Sequence, residues 1–400
     1  MTFARQKYTK TQKRVLTRRG VLWLGQTCNL RCHFCYFLNR INDKNHPEHP
    51  FMSLDKAKTI CRTLSEYYGN KAIDIQGGEP TIYPSIAELI SYCNDLSLLP
   101  TLITNALALS KEEICQKFQD AGLRDLLISI HGLGNQYEEN VGVPGAHGKQ
   151  MQALENLIKL KIPFRFNCVL AKSVLPDLPK IAQLAIDSQA RVVNFITFNP
   201  FEDQQHNLRS TNDVPSYQQV AEPLMQALDI LDQSSIEANV RYFPFCMVRQ
   251  AYWKQIYNFQ QLPYDLHEWD FASWSWTGQQ PQRMKSGNLT EVLTLRQANS
   301  YSKRFGTQPN YLHDQTISAE DEYRHSALIR SREHCGYQYS SECNKCALQE
   351  ICDGFHGDYA QLFTAKEARP VQDIERVSNP ISFIQKQDKI IEEEDYDWAL

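Results

Sequence analysis

Short apolar segments rich in β-branched residues alternate with longer amphipathic stretches through the first half of the chain. Val21 to Leu24, Ala72 to Gln76, Thr101 to Asn105, Asp125 to Ile130, Pro163 to Leu170 and Val192 to Phe198 read as strands. Leu54 to Tyr68, Ile86 to Cys93, Lys111 to Ala121, Gln150 to Lys161 and Leu178 to Ser188 carry helical spacing, with Ser53 and Ser110 placed as N-caps. This alternation predicts parallel strands joined by right-handed crossovers, and six such strands predict an open or partly closed barrel. Ligands of such sheets sit at the C-terminal ends of the strands.

The pattern changes after about Pro200. Residues 202 to 216 are polar and read as a loop, and Tyr217 to Leu231 as one more helix. Aromatic residues then crowd positions 242 to 276, including Trp253, Trp269, Trp274 and Trp276; Tyr264-Asp265 and His267-Glu268-Trp269-Asp270 lie among them. A small domain packed on a barrel needs such large core fillers, and a substrate wall is the functional alternative. Residues 277 to 325 are polar with weak periodicity, a cysteine-rich segment runs from Cys335 to Cys352, and the chain turns acidic afterwards. The expected division is a basic extension at 1–20, a barrel at 21–235, an aromatic and cysteine-rich domain at 236–365, and an acidic tail at 366–400.

A formal charge of −4 gives no overall pull toward nucleic acid or anionic membrane. The cations Arg5, Lys7, Lys10, Lys13, Arg14, Arg18 and Arg19 and the acids Glu392 to Asp395 with Asp397 read as solvated ends. No stretch reaches the ~20 apolar residues of a membrane span, and the basic start lacks the apolar region of a secretory signal. Twelve cysteines in 400 residues are too sparse for a disulfide scaffold, and seven of them bunch in two short runs as metal ligands do. The reducing cytoplasm is the expected compartment. His46 and His49, flanked by Pro47 and Pro50, read as an ordinary loop.

Cys28-Asn29-Leu30-Arg31-Cys32-His33-Phe34-Cys35 is a C-x3-C-x2-C run placed directly after the first strand. Three thiolates on so short a loop anchor three irons of a cubane and leave the fourth iron open to a substrate or cofactor. A structural zinc site asks for a fourth close ligand, and His33 has little freedom to supply it from a loop already wrapping Cys32 and Cys35. With aromatic Phe34 before the last cysteine, the run resembles the signature of the radical S-adenosylmethionine (SAM) superfamily. The resemblance implies a partial (β/α)6 barrel of the radical SAM type, with a [4Fe–4S] cluster on Cys28, Cys32 and Cys35. It implies SAM on the open iron, with Phe34 beside it, and reductive cleavage to a 5′-deoxyadenosyl radical. In that chemistry the protein positions the cofactor and keeps out water.

Gln76-Gly77-Gly78-Glu79-Pro80 follows the second strand. Two glycines permit close backbone approach to a ligand, and the Glu79 carboxylate accepts hydrogen bonds from an ammonium group. After this strand the run Gly77-Gly78-Glu79-Pro80 resembles the family's motif for the SAM amino group. The same resemblance implies that Asn105, Ser129 and Asn167, which close later strands, touch the ribose or carboxylate of SAM; each is equally a strand-end hydrogen bonder. Phe195 to Phe198 line the adenine pocket or fill core, and His131 and Tyr137 lie on the loop side of the expected radical, where they meet substrate or serve as structural residues.

Cys343-x2-Cys346-x5-Cys352 asks for a second metal centre. The spacing resembles the C-terminal SPASM and Twitch extensions of radical SAM enzymes, which hold auxiliary [4Fe–4S] clusters. The full SPASM pattern continues with another cysteine where this chain has His356, so one auxiliary cluster is expected. Its fourth ligand is Cys246, after Pro244-Phe245, or Cys335, eight positions before Cys343; a four-thiolate zinc ribbon would use the same spacing.

The expected activity is hydrogen abstraction from a peptide or small molecule, leading to oxidation, cross-linking or epimerisation, with electrons from a flavodoxin- or ferredoxin-type reductant. About twenty residues precede the first strand, too few for a leader-binding fold of their own. Two other classes stand beside this one: a non-catalytic iron–sulfur or zinc protein in electron transfer or scaffolding, and an RNA-modifying relative using the basic start.

Overall fold

The computed structural model describes residues 8–12, 19–35, 44–45, 49–67, 70–198, 211–265, 267, 327–328, 331–332 and 335–392. After β1 (Tyr8–Thr11), strands and helices alternate: β2 (Arg19–Trp23), α1 (Leu54–Arg62), β3 (Ala72–Gln76), α2 (Ile86–Asp95), β4 (Leu99–Thr104), α3 (Glu112–Asp120) and β5 (Asp125–Ser129). Then come α4 (Gly134–Val141), α5 (Ala146–Leu160), β6 (Phe164–Leu170), α6 (Leu178–Asp187), β7 (Val192–Thr197), α7 (Tyr217–Gln233), β8 (Glu237–Arg241) and β9 (Ile256–Tyr257). α8 (Gly357–Phe363) and β10 (Lys389–Glu392) follow. β2 to β9 pair in sequence order as one parallel eight-stranded sheet curled into a half-barrel. The six expected strands are all present, with β8 and β9 added beyond them. Ser53 caps α1 by accepting from the Lys56 N–H, but Ser110 does not cap α3: its hydroxyl donates to the Leu107 carbonyl within a 3-10 turn, and Lys111 stands at the cap.

Period-two alternation decides the two faces of this sheet. Leu22, Ile73, Ile75, Leu102, Leu126, Ile128, Phe166, Val193, Phe195 and Val240 are buried in the main apolar core. Several of the alternate positions are polar. Asp74, Thr101 and Asp125 stand in one register row across β3, β4 and β5. Arg19 donates to Asp74 at 2.7 Å and to Thr101 at 2.9 Å, Thr101 donates to Asp125, and Arg165 donates to Asp125 at 2.8 Å. Burial alone would raise the Asp125 carboxyl, but the guanidinium groups of Arg165, Arg19 and Arg124 hold it below the usual carboxylate range.

A second buried ion network closes the sheet on its β8 side, and its key cation comes from the end of the described chain. Lys389 lies 2.7 Å from Glu237 and 3.2 Å from Asp265, whose other oxygen accepts from Arg241 at 2.9 Å. Burial would lower the Lys389 ammonium; Asp265 and Glu237 outweigh it and raise it. β10 also pairs antiparallel with β1, Tyr8 opposite Glu392. Residues 366–392 therefore correct the expected acidic tail, since Gln387, Lys389, Ile390 and Ile391 are buried. Arg19 and Gly20 belong to β2, and Tyr8 to Thr11 to β1, so positions 8–11 and 19–20 are not simply a basic extension. Lys389→Met strands Glu237 in the interior and is expected to cost about 3 kcal/mol, read from denaturant unfolding.

Several expectations fall outside the described residues: Arg5, Lys7, Lys13, Arg14 and Arg18, His46, the loop at 202–210, Glu268 to Asp270, Trp274, Trp276, 277–325 and the acids from Glu393 onward.

Candidate active site

The first cysteine run leaves β2 at the C-terminal rim of the sheet, and three neighbouring segments hold it. Leu24 N–H donates to Gln76 O (2.7 Å) and Glu79 N–H to Thr27 O (2.8 Å), which ties the loop to the end of β3. Arg31 and His33 donate to the carbonyls of Val141 (2.8 Å) and Asn140 (3.2 Å) at the C-terminal end of α4. The Thr27 hydroxyl donates to Pro50 O, and Arg31 Nη1 to the carbonyls of Cys28 and Leu30, 2.7 Å each. α4 was not foreseen, because Gly134 to Val141 is mostly polar and buries only Tyr137, Asn140 and Val141.

The glycines of Gly77-Gly78-Glu79-Pro80 serve this clamp. A Cβ on Gly78, at φ +53°, would lie 1.9 Å from Thr27 O, and one on Gly77 2.7 Å from Leu24 N. The close approach they allow is thus to the cysteine loop, which corrects the expectation of approach to a ligand alone. Glu79 is 1 % exposed. Its Oε1 accepts from Thr81 N–H (3.0 Å) and from the Thr81 and Thr104 hydroxyls (2.5 Å each), and its Oε2 from Asn105 N–H (2.8 Å). Oε2 keeps room for one further donor. Burial raises the Glu79 carboxyl, and the bonds from Thr104, Thr81 and Asn105 oppose that rise. Pro80 opens the 3-10 turn Pro80–Ile82, capped by Glu79.

Asn105, Ser129 and Asn167 come together on the same rim. Asn105 Nδ2 donates to Asn29 Oδ1 of the cysteine loop at 2.7 Å. Ser129 and Asn167 are register neighbours, and Asn167 Oδ1 is buried without a hydrogen-bond partner. Phe34 is 6 % exposed and meets the rings of His131 (4.7 Å) and Phe198 (6.2 Å) edge to face. Phe195 is core. Burial, with His33 second, pushes His131 down to about 3, and its Nδ1 accepts from Val169 N–H at 3.4 Å, so the ring is neutral. Tyr137 is fully buried on α4 beside Gln150 and packs against the side of the cysteine loop that carries Cys28 and Cys32.

The Cys28, Cys32 and Cys35 thiols are half-buried on one loop. Burial, then the Glu79 carboxylate and Cys35, push Cys28 up to about 12, while burial, Cys35 and Cys28 raise Cys32. Thiol ligands bind metal as thiolates, and a bound cation would offset the burial that keeps Cys28 and Cys32 protonated. Among the described residues, no three His, Cys, Asp or Glu side chains are placed as ligands of one metal ion.

Cys246, Cys343, Cys346 and Cys352 line one pocket with Phe245, Tyr339 and Arg369. Cys335 is not among its lining residues; it packs against the smaller core of Tyr257, Phe259 and Tyr337. Backbone N–H groups face the sulfurs: Val371 donates to Cys346 and Gly354 to Cys352, 3.4 Å each, and the Arg369 backbone bonds Cys246. Burial pushes Cys246 up to about 11, with Cys343 and Cys346 adding to it and the Arg369 bond opposing it. N–H···S bonds favour thiolate ligands, so the donor set fits a four-thiolate centre. His356 has another task, since its Nδ1 accepts from Asp358 N–H (3.2 Å) to cap α8. The segment 368–371 had no signal in the sequence. Cys61, Cys93, Cys115 and Cys168 are buried core.

Residues 24–185 match the Radical SAM superfamily model. PqqA peptide cyclase of Bradyrhizobium diazoefficiens is 30% identical over 172 residues, 42% of this chain and 43% of that protein. The AdoMet-dependent heme synthase of Methanosarcina barkeri is 30% identical over 169 residues, 42% and 47% of the two chains. A probable GTP 3′,8-cyclase of Sulfurisphaera tokodaii is 25% identical over 179 residues, 44% and 55%. The chain thus spans about half the length of these relatives. In structure it resembles Streptococcus suis SuiB bound to S-adenosylmethionine, at a TM-score of 0.50 and 16% identity over 91% of this chain and 77% of that one.

Proposed function

We propose, for a chain that residues 24–185 place in the radical SAM superfamily of enzymes, that it reductively cleaves SAM and abstracts a hydrogen atom from a peptide. The observation that carries this is the cysteine trio clamped by Gly77, Gly78 and Glu79 to strand ends bearing Asn105, Ser129 and Asn167. A [4Fe–4S] cluster on Cys28, Cys32 and Cys35, with SAM, supplies the 5′-deoxyadenosyl radical. Around it the chain's own residues orient and enclose: Glu79 Oε2 accepts from the SAM ammonium, Ser129 and Asn167 hydrogen-bond its polar groups, and Phe34 excludes water beside the loop.

Cys246, Cys343, Cys346 and Cys352 would hold one auxiliary [4Fe–4S] cluster, which would supply an electron acceptor for an oxidative outcome. A flavodoxin- or ferredoxin-type protein reduces the enzyme, and the reducing cytoplasm suits both clusters. Peptide as substrate is supported by two relatives, one in sequence and one in fold: PqqA peptide cyclase and SuiB bound to precursor peptide SuiA. The heme synthase and GTP cyclase relatives favour a small molecule as second reading. Among the described residues no helix is long and apolar enough to cross a membrane.

Anaerobic reconstitution followed by dithionite and SAM tests the reading: 5′-deoxyadenosine is expected, and an intact cluster without it favours a non-catalytic iron–sulfur protein. Cys246→Ala is expected to remove the iron of the auxiliary cluster, about half of the total on two four-iron sites, whereas Cys335→Ala leaves iron content unchanged. Iron analysis of both variants decides the fourth ligand.

A further inference from the structure

Behind the rim, one side chain on α5 holds together the parts that the cysteine loop leans on. Gln150 is fully buried, and its Nε2 donates to Asn105 O at 3.0 Å and to Ser129 O at 2.9 Å, with the Tyr137 hydroxyl 3.0 Å away. The amide orientation follows from its partners, because the opposite flip would press Oε1 against two carbonyl oxygens that cannot donate. The chain ends of β4 and β5 therefore meet on one amide, at Asn105 and Ser129. The same link runs on into the loop, since Asn105 Nδ2 reaches Asn29. Tyr137 brings in α4, whose last carbonyls hold Arg31 and His33.

We propose that Gln150 is a positioning residue for SAM, fixing the rim ends of β4 and β5 so that Asn105 and Ser129 present their side chains in one geometry. The proposal rests on the SAM reading above. Its physical content is that two buried carbonyls at a sheet rim have one donor group between them. Removing that donor leaves both carbonyls to rotate toward other partners, and the side chains they carry turn with them. A shift of a few tenths of an ångström at two binding groups weakens cofactor binding without touching cluster ligands or the reacting atoms.

Gln150→Met keeps the length and volume of the side chain and removes both donors. In the reconstituted holoenzyme its KM for SAM is expected to rise about tenfold, the loss of roughly one buried hydrogen bond. Iron content and kcat at saturating SAM are expected to stay at the wild-type level. The SAM concentration that perturbs the electron paramagnetic resonance signal of the reduced cluster moves by the same factor. Asn156→Leu is the control: Asn156 lies on the same helix, is buried and donates to Leu109 O at 2.9 Å, but touches neither strand end. It is expected to lower stability without moving KM. Equal KM shifts in both variants, an unchanged KM in Gln150→Met, or loss of iron from it overturns the proposal. Absence of SAM cleavage in the wild-type enzyme instead overturns the functional reading beneath it.

Discussion

Cys32→Ala is expected to bring 5′-deoxyadenosine formation at least roughly a thousandfold below wild type, because the cofactor carries the chemistry and two thiolates on a short loop do not retain it. The backbone around Cys32 has supports that survive the change. Cys35 N–H still donates to Cys32 O at 3.0 Å, and Arg31 and His33 still hang from α4. The barrel is therefore expected to fold with its unfolding midpoint nearly unchanged. Iron is lost from the first site alone, about half of the total if the second site holds an equal cluster. Anaerobic product assay, iron analysis and denaturant unfolding on one preparation check all three, and retained cleavage would refute the assignment of the trio.

Gly78→Ala is expected to be nearly as damaging without removing any ligand. A left-handed alanine costs on the order of 1 kcal/mol by itself. Here the added carbon also meets Thr27 O at 1.9 Å and Thr27 C at 2.5 Å, distances that only a backbone displacement relieves. That displacement breaks the Glu79 N–H bond to Thr27 and moves the loop one residue before Cys28. SAM cleavage is expected to fall more than about a hundredfold, since displacement of positioned groups by about 1 Å has effects of that size. Gly145→Ala separates the two causes, because Gly145 also has positive φ, +74°, but nothing lies within 4 Å of its Cβ position. It is expected to lose about 1 kcal/mol of stability and no activity. Equal activity in the two variants would show that the clamp is not what the glycine provides.

The strands that were legible are those whose apolar residues run together between glycine, proline or asparagine, such as Ala72–Gln76 and Val192–Thr197. Glu237–Arg241 was not, because Glu237, Asn239 and Arg241 are polar and become interior only through Lys389 and Asp265, which are remote in sequence. The first thiol site was legible because one loop contains it. The second was legible only in part: Cys343, Cys346 and Cys352 share a spacing, whereas Cys246, favoured over Cys335 on its place after Pro244, meets them only through the fold. Gly78 was recognised but assigned to a ligand, since the chain it touches, Thr27, follows a different strand. Gln150 gave no signal, as an amide in an amphipathic helix has the same pattern whether it faces solvent or two carbonyls.

The ribbon of Tyr8–Thr11 with Lys389–Glu392 bears on how the molecule is made. A ribosome delivers all eight strands of the sheet well before Lys389 emerges, so a nascent chain holds Glu237 and Asp265 without their ammonium partner. Burying those carboxylates early is unfavourable, and the β8 side stays hydrated until Lys389 is available. The opposite rim depends on none of these late residues, which leaves time for iron loading on the first loop while the sheet's far side is still open to water.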